Sequence, residues 1–200
     1  MLLSLLAYII IPVYTILFVK GYNWFTTNFS VIGSFIHRRD AFVLWGVLVG
    51  LYFYIVLRSI VKQMDEKPGG MFLIPLSLSL LVCAITTPYL PEILPLKSFL
   101  HIVFAFLAAA CLIFCLFLII WQLWQAQPQI YASYMKALLA IVILSALLLV
   151  LVGIVSSALE IFFTISSVIL VRRLLNRTTA SKRETQKNGG GTANTAPPIR

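Results

Sequence analysis

Residues 137–171 form an uninterrupted run of 35 residues in which Glu160 is the only charged side chain. A single helix of that length would be about 52 Å long at 1.5 Å per residue, whereas the hydrocarbon core of a bilayer is about 30 Å thick. The run therefore predicts two helices joined by a tight turn at residues 153–157. Ser157 and Glu160 have the spacing of a capping box, so the second helix is expected to begin at Ser157.

Apolar runs of similar length occupy much of the remaining chain. Hydrophobic residues make up 61% of the 200 residues and charged residues only 10%, whereas soluble domains carry roughly 25% charged residues. Lipid must therefore surround most of the chain, and the sequence predicts an all-α, polytopic transmembrane helical bundle in the cell membrane. Residues 1–176 are expected to form one transmembrane domain. Its six spans are predicted at about residues 2–19, 41–61, 71–89, 98–124, 137–153 and 157–174.

Orientation is predicted from Lys and Arg, which are retained preferentially on the cytoplasmic side. With both termini inside, 11 of the 15 bases lie in the cytoplasm, so the topology is predicted N-in and C-in. Seven of these bases occur from Arg172 onward. Because they follow a membrane helix and accompany no nucleic-acid-binding motif, no nucleic acid partner is expected. Residues 177–200 contain almost no large apolar side chain and are predicted to be a disordered, basic cytoplasmic tail.

The predicted orientation gathers polar side chains at the outer face, including both histidines and three of the six acidic residues. Arg38 and Arg39 lie on the side where bases are disfavoured, and Asp40 is expected to cap the second span. We therefore predict a site for a lipid head group or small molecule, with both arginines as phosphate partners. The candidate ligand-binding residues are Asn28, Ser30, His37, Arg38, Arg39, Asp40, Glu92, His101 and Glu160.

Other interpretations of these residues stay open. Arg38 and Arg39 could simply reach the phosphates of surrounding lipids. The two histidines and an outer acid form only a weak zinc pattern, since the chain has no His-Glu-x-x-His or triple-histidine set. No metal, cofactor or catalytic residue is therefore assigned. Glu160 is a candidate for proton coupling or for binding a substrate amine, although its capping-box position also explains it structurally.

Small residues in the spans predict close helix packing. Gly46 and Gly50 form a G-x-x-x-G pattern in the second span, and contact within the chain is favoured over homodimerisation. Cys83, Cys111 and Cys115 all lie in apolar runs and form no C-x-x-C motif. We expect them to be packing residues and not partners in a disulfide.

The segment NWFTTNFSVIG, residues 23–33, precedes charged residues and a second span that contains Trp45 and Gly46. This layout resembles bacterial six-span membrane proteins of uncharacterised function with a DRAM/Sfk-like arrangement. The resemblance implies an outer polar segment of the pattern N/S-x-x-G after the first span. It assigns that role to Asn28, Ser30 and Gly33, and it implies no particular activity.

These features predict a non-enzymatic membrane protein that interacts with lipid or a small molecule, or an accessory subunit bound to another membrane protein. A compact transporter is the second alternative. Few intramembrane charges, the lack of a visible inverted repeat and Pro75 as the only helix interruption argue against it. A metal-dependent intramembrane enzyme is the third alternative, and it requires the outer histidines and acids to converge.

Overall fold

The computed structural model describes residues 1–64 and 66–190, with side chains through residue 184. Within these residues all regular structure is helical, which confirms the predicted all-α class. A 3-10 turn, Ile36–Arg38, separates the second and third α-helices. The described α-helices are α1 (Leu2–Phe18), α2 (Phe29–Ser34), α3 (Arg39–Val61), α4 (Leu73–Thr86), α5 (Pro95–Ala126), α6 (Pro128–Val152) and α7 (Ser157–Gly190).

Three helical segments are long and apolar enough to cross a membrane: Ile36–Val61, Pro95–Ala126 and Pro128–Val152. Two shorter apolar helices, α1 and α4, lie beside them. Large apolar side chains on α6 remain on the surface, including Ile143 at 63% and Val150 at 78% exposure. An exposed apolar surface of this extent is typical of a membrane protein, whose solvent is hydrocarbon.

The first helix contains an irregular turn. Leu6–Ile10 has π-helical hydrogen bonding, and α-helical geometry resumes at Ile11. Pro12 lies in the turn that follows and has no N–H to donate to the carbonyl of Tyr8. Pro75, by contrast, lies in the first turn of α4, where its missing N–H costs little. The prediction that Pro75 is the only helix interruption is therefore wrong, because the irregular turn lies in α1 beside Pro12.

The long apolar run divides at the predicted turn. Helix α6 ends at Val152, and Gly153 follows with φ of 79°, a left-handed conformation that glycine adopts without a Cβ clash. The capping box predicted for α7 does not form. The hydroxyl of Ser156 lies 3.4 Å from the N–H of Leu159, so Ser156 is the capping residue, one position earlier than predicted.

Helix α7 continues through Arg177 to Gly190, whereas residues 177–200 were expected to be disordered. Leu174, Leu175 and Thr178 are buried and hold this part of α7 against the bundle. Because the preceding turns already provide the helical nucleus, the Lys, Arg, Glu and Gln residues that follow extend the helix at little cost. Residues 191–200 of the predicted tail lie outside the described residues.

The bundle has two distinct ends. At one end the Arg172 guanidinium donates to the Ser4 hydroxyl at 2.9 Å, and the Gln122 side chain donates to the Glu66 carbonyl at 2.9 Å. We call this the basic end, because the residues after Val61 and after Val171 contribute most of its charge. The opposite end, which holds Asn28 and His101, is called the cavity end. Fully buried side chains of α3, α5 and α7 fill the space between the two ends.

Gly46 and Gly50 lie in the interface between α3 and α4. A Cβ at Gly46 would come within 2.7 Å of Ile85 Cγ2, and one at Gly50 within 2.8 Å of Leu78 Cδ1. The G-x-x-x-G pattern therefore brings two helices of the same chain into close contact. This contact holds α4 against α3 and thereby positions the end of α4, which forms part of the cavity wall.

Candidate functional site

A short helix, α2, forms one side of the cavity end. Asn28 is its N-cap, and the Asn28 side-chain oxygen accepts the Val31 N–H at 2.8 Å. Phe29 and Ile32 are fully buried and anchor the helix on a small apolar cluster with Phe18 and Phe42. Asn28, predicted to bind a ligand, is thus a capping residue that holds its neighbour Ser30 in place.

Glu160 joins the start of α7 to the start of α2. Its carboxylate accepts the Phe29 N–H at 2.7 Å. In return the N–H groups of Ser157 and Ala158 donate to the carbonyls of Thr27 and Trp24, at 2.7 and 2.9 Å. The carboxyl group of Glu160 therefore joins the N-terminus of α7 to that of α2. This contact gives Glu160 a structural role that its predicted capping box did not describe.

Ser30 and His101, both predicted site residues, are brought together although 71 positions separate them. The Ser30 hydroxyl oxygen lies 2.6 Å from His101 Nε2. On the other side of the ring, His101 Nδ1 lies 2.7 Å from the Ala84 carbonyl and 3.0 Å from the Thr87 carbonyl. A carbonyl oxygen can only accept a hydrogen bond, so Nδ1 carries the proton. In the neutral ring Nε2 is then the acceptor, and Ser30 donates to it.

The Ser30–His101 pair lines a cavity of about 80 Å³. Residues from α2, α3, the end of α4, the connection after it and α5 form its wall, and Phe42 and Ile85 contribute apolar surface. His101 is only 3% exposed, so the protein shields it from solvent almost completely. The polar wall consists of Ser30, Ser34, Arg39, Thr86, Thr87, Tyr89 and His101.

The two arginines, predicted to act together, have different surroundings. Arg39 lines the cavity and is exposed, and its guanidinium has no ion pair or hydrogen bond with any described residue. Arg38 lies over the Tyr22 ring at 5.7 Å, a cation–π contact outside the cavity. Asp40 lies in the first turn of α3, and its predicted capping bond is not formed, because Arg38 occupies the N-cap position. Only Arg39 is therefore placed to bind a ligand in the cavity.

The remaining predicted residues lie apart from the cavity. His37 is exposed and stacks on Phe35 at a centroid distance of 6.0 Å, and Glu92 is exposed in the connection before α5. In the described part of the chain, no three His, Cys, Asp or Glu side chains are grouped as metal ligands. The metal set considered from the sequence, which required both histidines, is therefore not assembled there.

Four polar wall residues were missed by the sequence analysis: Ser34, Thr86, Thr87 and Tyr89. The sequence Thr86-Thr87-Pro88 could have indicated wall residues, because it ends a helix on the predicted outer side. No sequence pattern indicated Ser34, since its position in the wall depends on the close approach of α2 to α3. A Cβ at Gly33 would come within 2.5 Å of the Phe42 ring, which shows how close that approach is.

Comparison of the chain with protein-family models, with curated proteins and with solved structures finds no match.

Proposed function

We propose that the protein is an integral membrane protein with six spans, both termini in the cytoplasm, and an outward-facing cavity that recognises a phosphate-bearing lipid head group. The observation that carries the ligand assignment is the position of Arg39. Arg39 is one of the residues that line a small polar cavity, and its exposed side chain has no carboxylate partner among the described residues. An unpaired guanidinium of this kind is suited to a phosphate, which it can bind through two parallel hydrogen bonds.

The number of spans is supported by the contacts of the shorter helices. The 14 residues of α4 extend for about 21 Å, but α4 stays beside α5 over its length. Its Ser77 hydroxyl donates to the Ala108 carbonyl at 3.0 Å, and its Ala84 carbonyl accepts from His101. In α7, the stretch from Ser157 to Val171 contains one charged residue, Glu160. We therefore count α1, α4 and this part of α7 as spans beside the three longer segments.

The orientation is supported by the distribution of bases between the two ends. The cavity end and its connections carry Lys20, Arg38, Arg39 and Lys97. The other 11 bases belong to the basic end and the residues beyond it. Because Lys and Arg are retained in the cytoplasm, the cavity faces outward in this topology.

The wall also indicates how a lipid would be held. Ser34, Thr86 and Tyr89 also line the cavity and make its wall polar, and Phe42 and Ile85 offer apolar surface. A volume of about 80 Å³ limits the cavity to the phosphate and the atoms bonded close to it, so the acyl chains stay outside. Recognition would therefore depend on the phosphate more than on the acyl chains. The resemblance to DRAM/Sfk-like six-span proteins stays a prediction beside this proposal.

Native mass spectrometry of the purified protein in mild detergent, with phosphatidylglycerol added, tests the proposal. Arg39→Gln should lower lipid retention by about 10- to 100-fold, since a hydrogen bond to a charged group contributes about 1.5–3 kcal/mol. Arg38→Gln is the matched control, because the neighbouring arginine contacts Tyr22 outside the cavity. Equal retention by both variants would contradict the proposal. Retention of a protein subunit in place of lipid would favour the accessory-subunit alternative.

A further inference from the structure

We propose that Ser30 and His101 form a nucleophile and general base that cleave a carboxylic ester of the phospholipid held in the cavity. The inference rests on the proposed function, because Arg39 is needed to hold the phosphate. It assigns an activity to a chain whose sequence predicted a non-enzymatic protein. The two residues both line the cavity, so a ligand bound there lies beside them.

The geometry meets the three requirements of an activated serine. The nucleophile and the base must be within hydrogen-bonding reach, and here Ser30 Oγ lies 2.6 Å from His101 Nε2. The base must be oriented by a third group, and the carbonyls of Ala84 and Thr87 accept the Nδ1 proton at 2.7 and 3.0 Å. The base must also present an unprotonated nitrogen to the serine. The two carbonyls fix that tautomer, because neither of them can donate a proton.

The other Ser and Thr hydroxyls of the described wall lack this arrangement. Ser34 Oγ donates to the Val31 carbonyl at 2.7 Å, within its own helix. Thr86 and Thr87 donate to carbonyls of α4, to Val82 at 2.7 Å and to Cys83 at 2.6 Å. Of these four side chains only Ser30 is bonded to an imidazole, so only its hydroxyl has a proton acceptor that a reaction could use.

The reaction proceeds in two steps, acylation of Ser30 and hydrolysis of the acyl-serine. Ser30 Oγ attacks the carbonyl carbon of the ester while its proton moves to His101 Nε2. The tetrahedral intermediate collapses, the C–O bond to the lipid alcohol breaks, and that alkoxide takes the proton from Nε2. A water molecule then gives a proton to Nε2 and attacks the acyl-serine. The second tetrahedral intermediate collapses, the C–O bond to Ser30 breaks, and Ser30 Oγ takes the proton back from Nε2, which releases a carboxylic acid and restores both residues. The products are a fatty acid and a lysophospholipid, and no oxidant or reductant is required.

The substrate is defined by two fixed points. Arg39 and Ser30 line the same small cavity, so with the phosphate at Arg39 the reactive ester must be close to the phosphate along the lipid backbone. Glycerophospholipids have this chemistry, since their acyl esters lie within a few bonds of the phosphate. A neutral ester without phosphate should be a poorer substrate, because nothing else in the wall carries a positive charge when His101 is neutral.

A fluorophosphonate probe, which labels activated serines covalently, tests the nucleophile in the purified full-length chain. Labelling should occur in the native protein and fall to background in Ser30→Ala. It should persist in Ser34→Ala, the matched serine of the same wall. His101→Gln should slow labelling by about 10²- to 10⁴-fold, the usual contribution of a general base. Thermal unfolding of each variant confirms that loss of labelling is not loss of fold.

Vesicles of phosphatidylglycerol separate this inference from the proposed function. Release of fatty acid by the native protein, lost in Ser30→Ala, supports the reaction, and retention of intact phospholipid by the Ser30→Ala protein supports recognition independently. A folded native protein that neither reacts with the probe nor releases fatty acid would overturn the inference. If it nevertheless retains phospholipid through Arg39, recognition stands and the Ser30–His101 bond serves to join α2 to α5. If no variant affects retention, the recognition proposal fails as well.

Discussion

The cavity end and the basic end of the bundle use polar side chains in different ways. At the cavity end, hydrogen bonds join residues far apart in the sequence, such as Glu160 with Phe29 and Ser30 with His101. At the basic end, Arg172 reaches Ser4, but the exposed side chains of Lys62 and Arg173 make no hydrogen bond with a described residue. Polar groups that are hydrogen-bonded to one another hold the chain in one arrangement. Separate exposed bases contribute charge, but they do not fix the positions of other side chains.

This difference suggests a division of roles. Charge alone is sufficient to orient a membrane protein, because the topology rule depends on the number of Lys and Arg residues and not on their contacts. A site needs side chains in fixed positions, held by neighbours that are themselves fixed. In the proposed function, the basic end accordingly orients the protein in the membrane and the cavity end recognises the ligand.

The strongest test of this division is an all-or-none labelling experiment. His37 is exposed at the cavity end and Lys67 is exposed at the basic end. With Cys83, Cys111 and Cys115 replaced by serine, a cysteine at position 37 should react with a membrane-impermeant maleimide in intact cells. A cysteine at position 67 should react only after permeabilisation. Labelling of both positions from the same side would refute the two-ended arrangement.

The next largest effect is expected at Glu160, which connects α7 to α2. Glu160→Ala leaves the N–H of the fully buried Phe29 without its acceptor and should destabilise the protein by about 2–3 kcal/mol. Glu160→Gln keeps an acceptor oxygen and should cost less. Unfolding by heat or denaturant in detergent measures both. Glu92→Ala is the control, since Glu92 is exposed and makes no hydrogen bond among the described residues. An equal loss of stability in Glu92→Ala would contradict the structural role of Glu160 in joining α7 to α2.

A smaller effect is expected where two helices come close beside the cavity. Gly33→Ala places a Cβ about 2.5 Å from the Phe42 ring and should cost about 1–2 kcal/mol, because the side chains must shift to relieve the overlap. At the basic end, Gly69→Ala meets nothing within 4 Å and should be nearly neutral. Comparison of the two unfolding midpoints tests whether side chains at the cavity end are packed more closely than those at the basic end. Equal stability of both variants would contradict that difference in packing.

The helical class could be predicted from the sequence because it depends on local properties. Apolar runs of suitable length give helices, and a run too long for one span must turn where small residues permit it. Gly153 permits the turn, and α6 ends just before it. The predicted disorder after Asn176 rested on composition alone, which takes no account of a helix already formed by the preceding residues.

The site was predicted only as a collection of residues. Ser30 and His101 were both among the predicted site residues. Their hydrogen bond depends on how α2 packs against α5, and no local sequence pattern predicts that packing. Asn28 and Glu160 were also among the predicted site residues, and the structure uses them to hold α2. Arg38 and Arg39 are adjacent and chemically identical, so only the turn of the backbone between them decides which one faces the cavity.

The length of α7 has a consequence for whatever follows it in the cytoplasm. Its 34 residues extend for about 51 Å, whereas the hydrocarbon core takes up about 30 Å. In the proposed topology the last turns therefore project about 20 Å beyond the lipid as a rod. A fluorescent group attached near Gly190 should then lie at a defined distance from the cytoplasmic surface of the membrane. Energy transfer to labelled lipids would measure that distance.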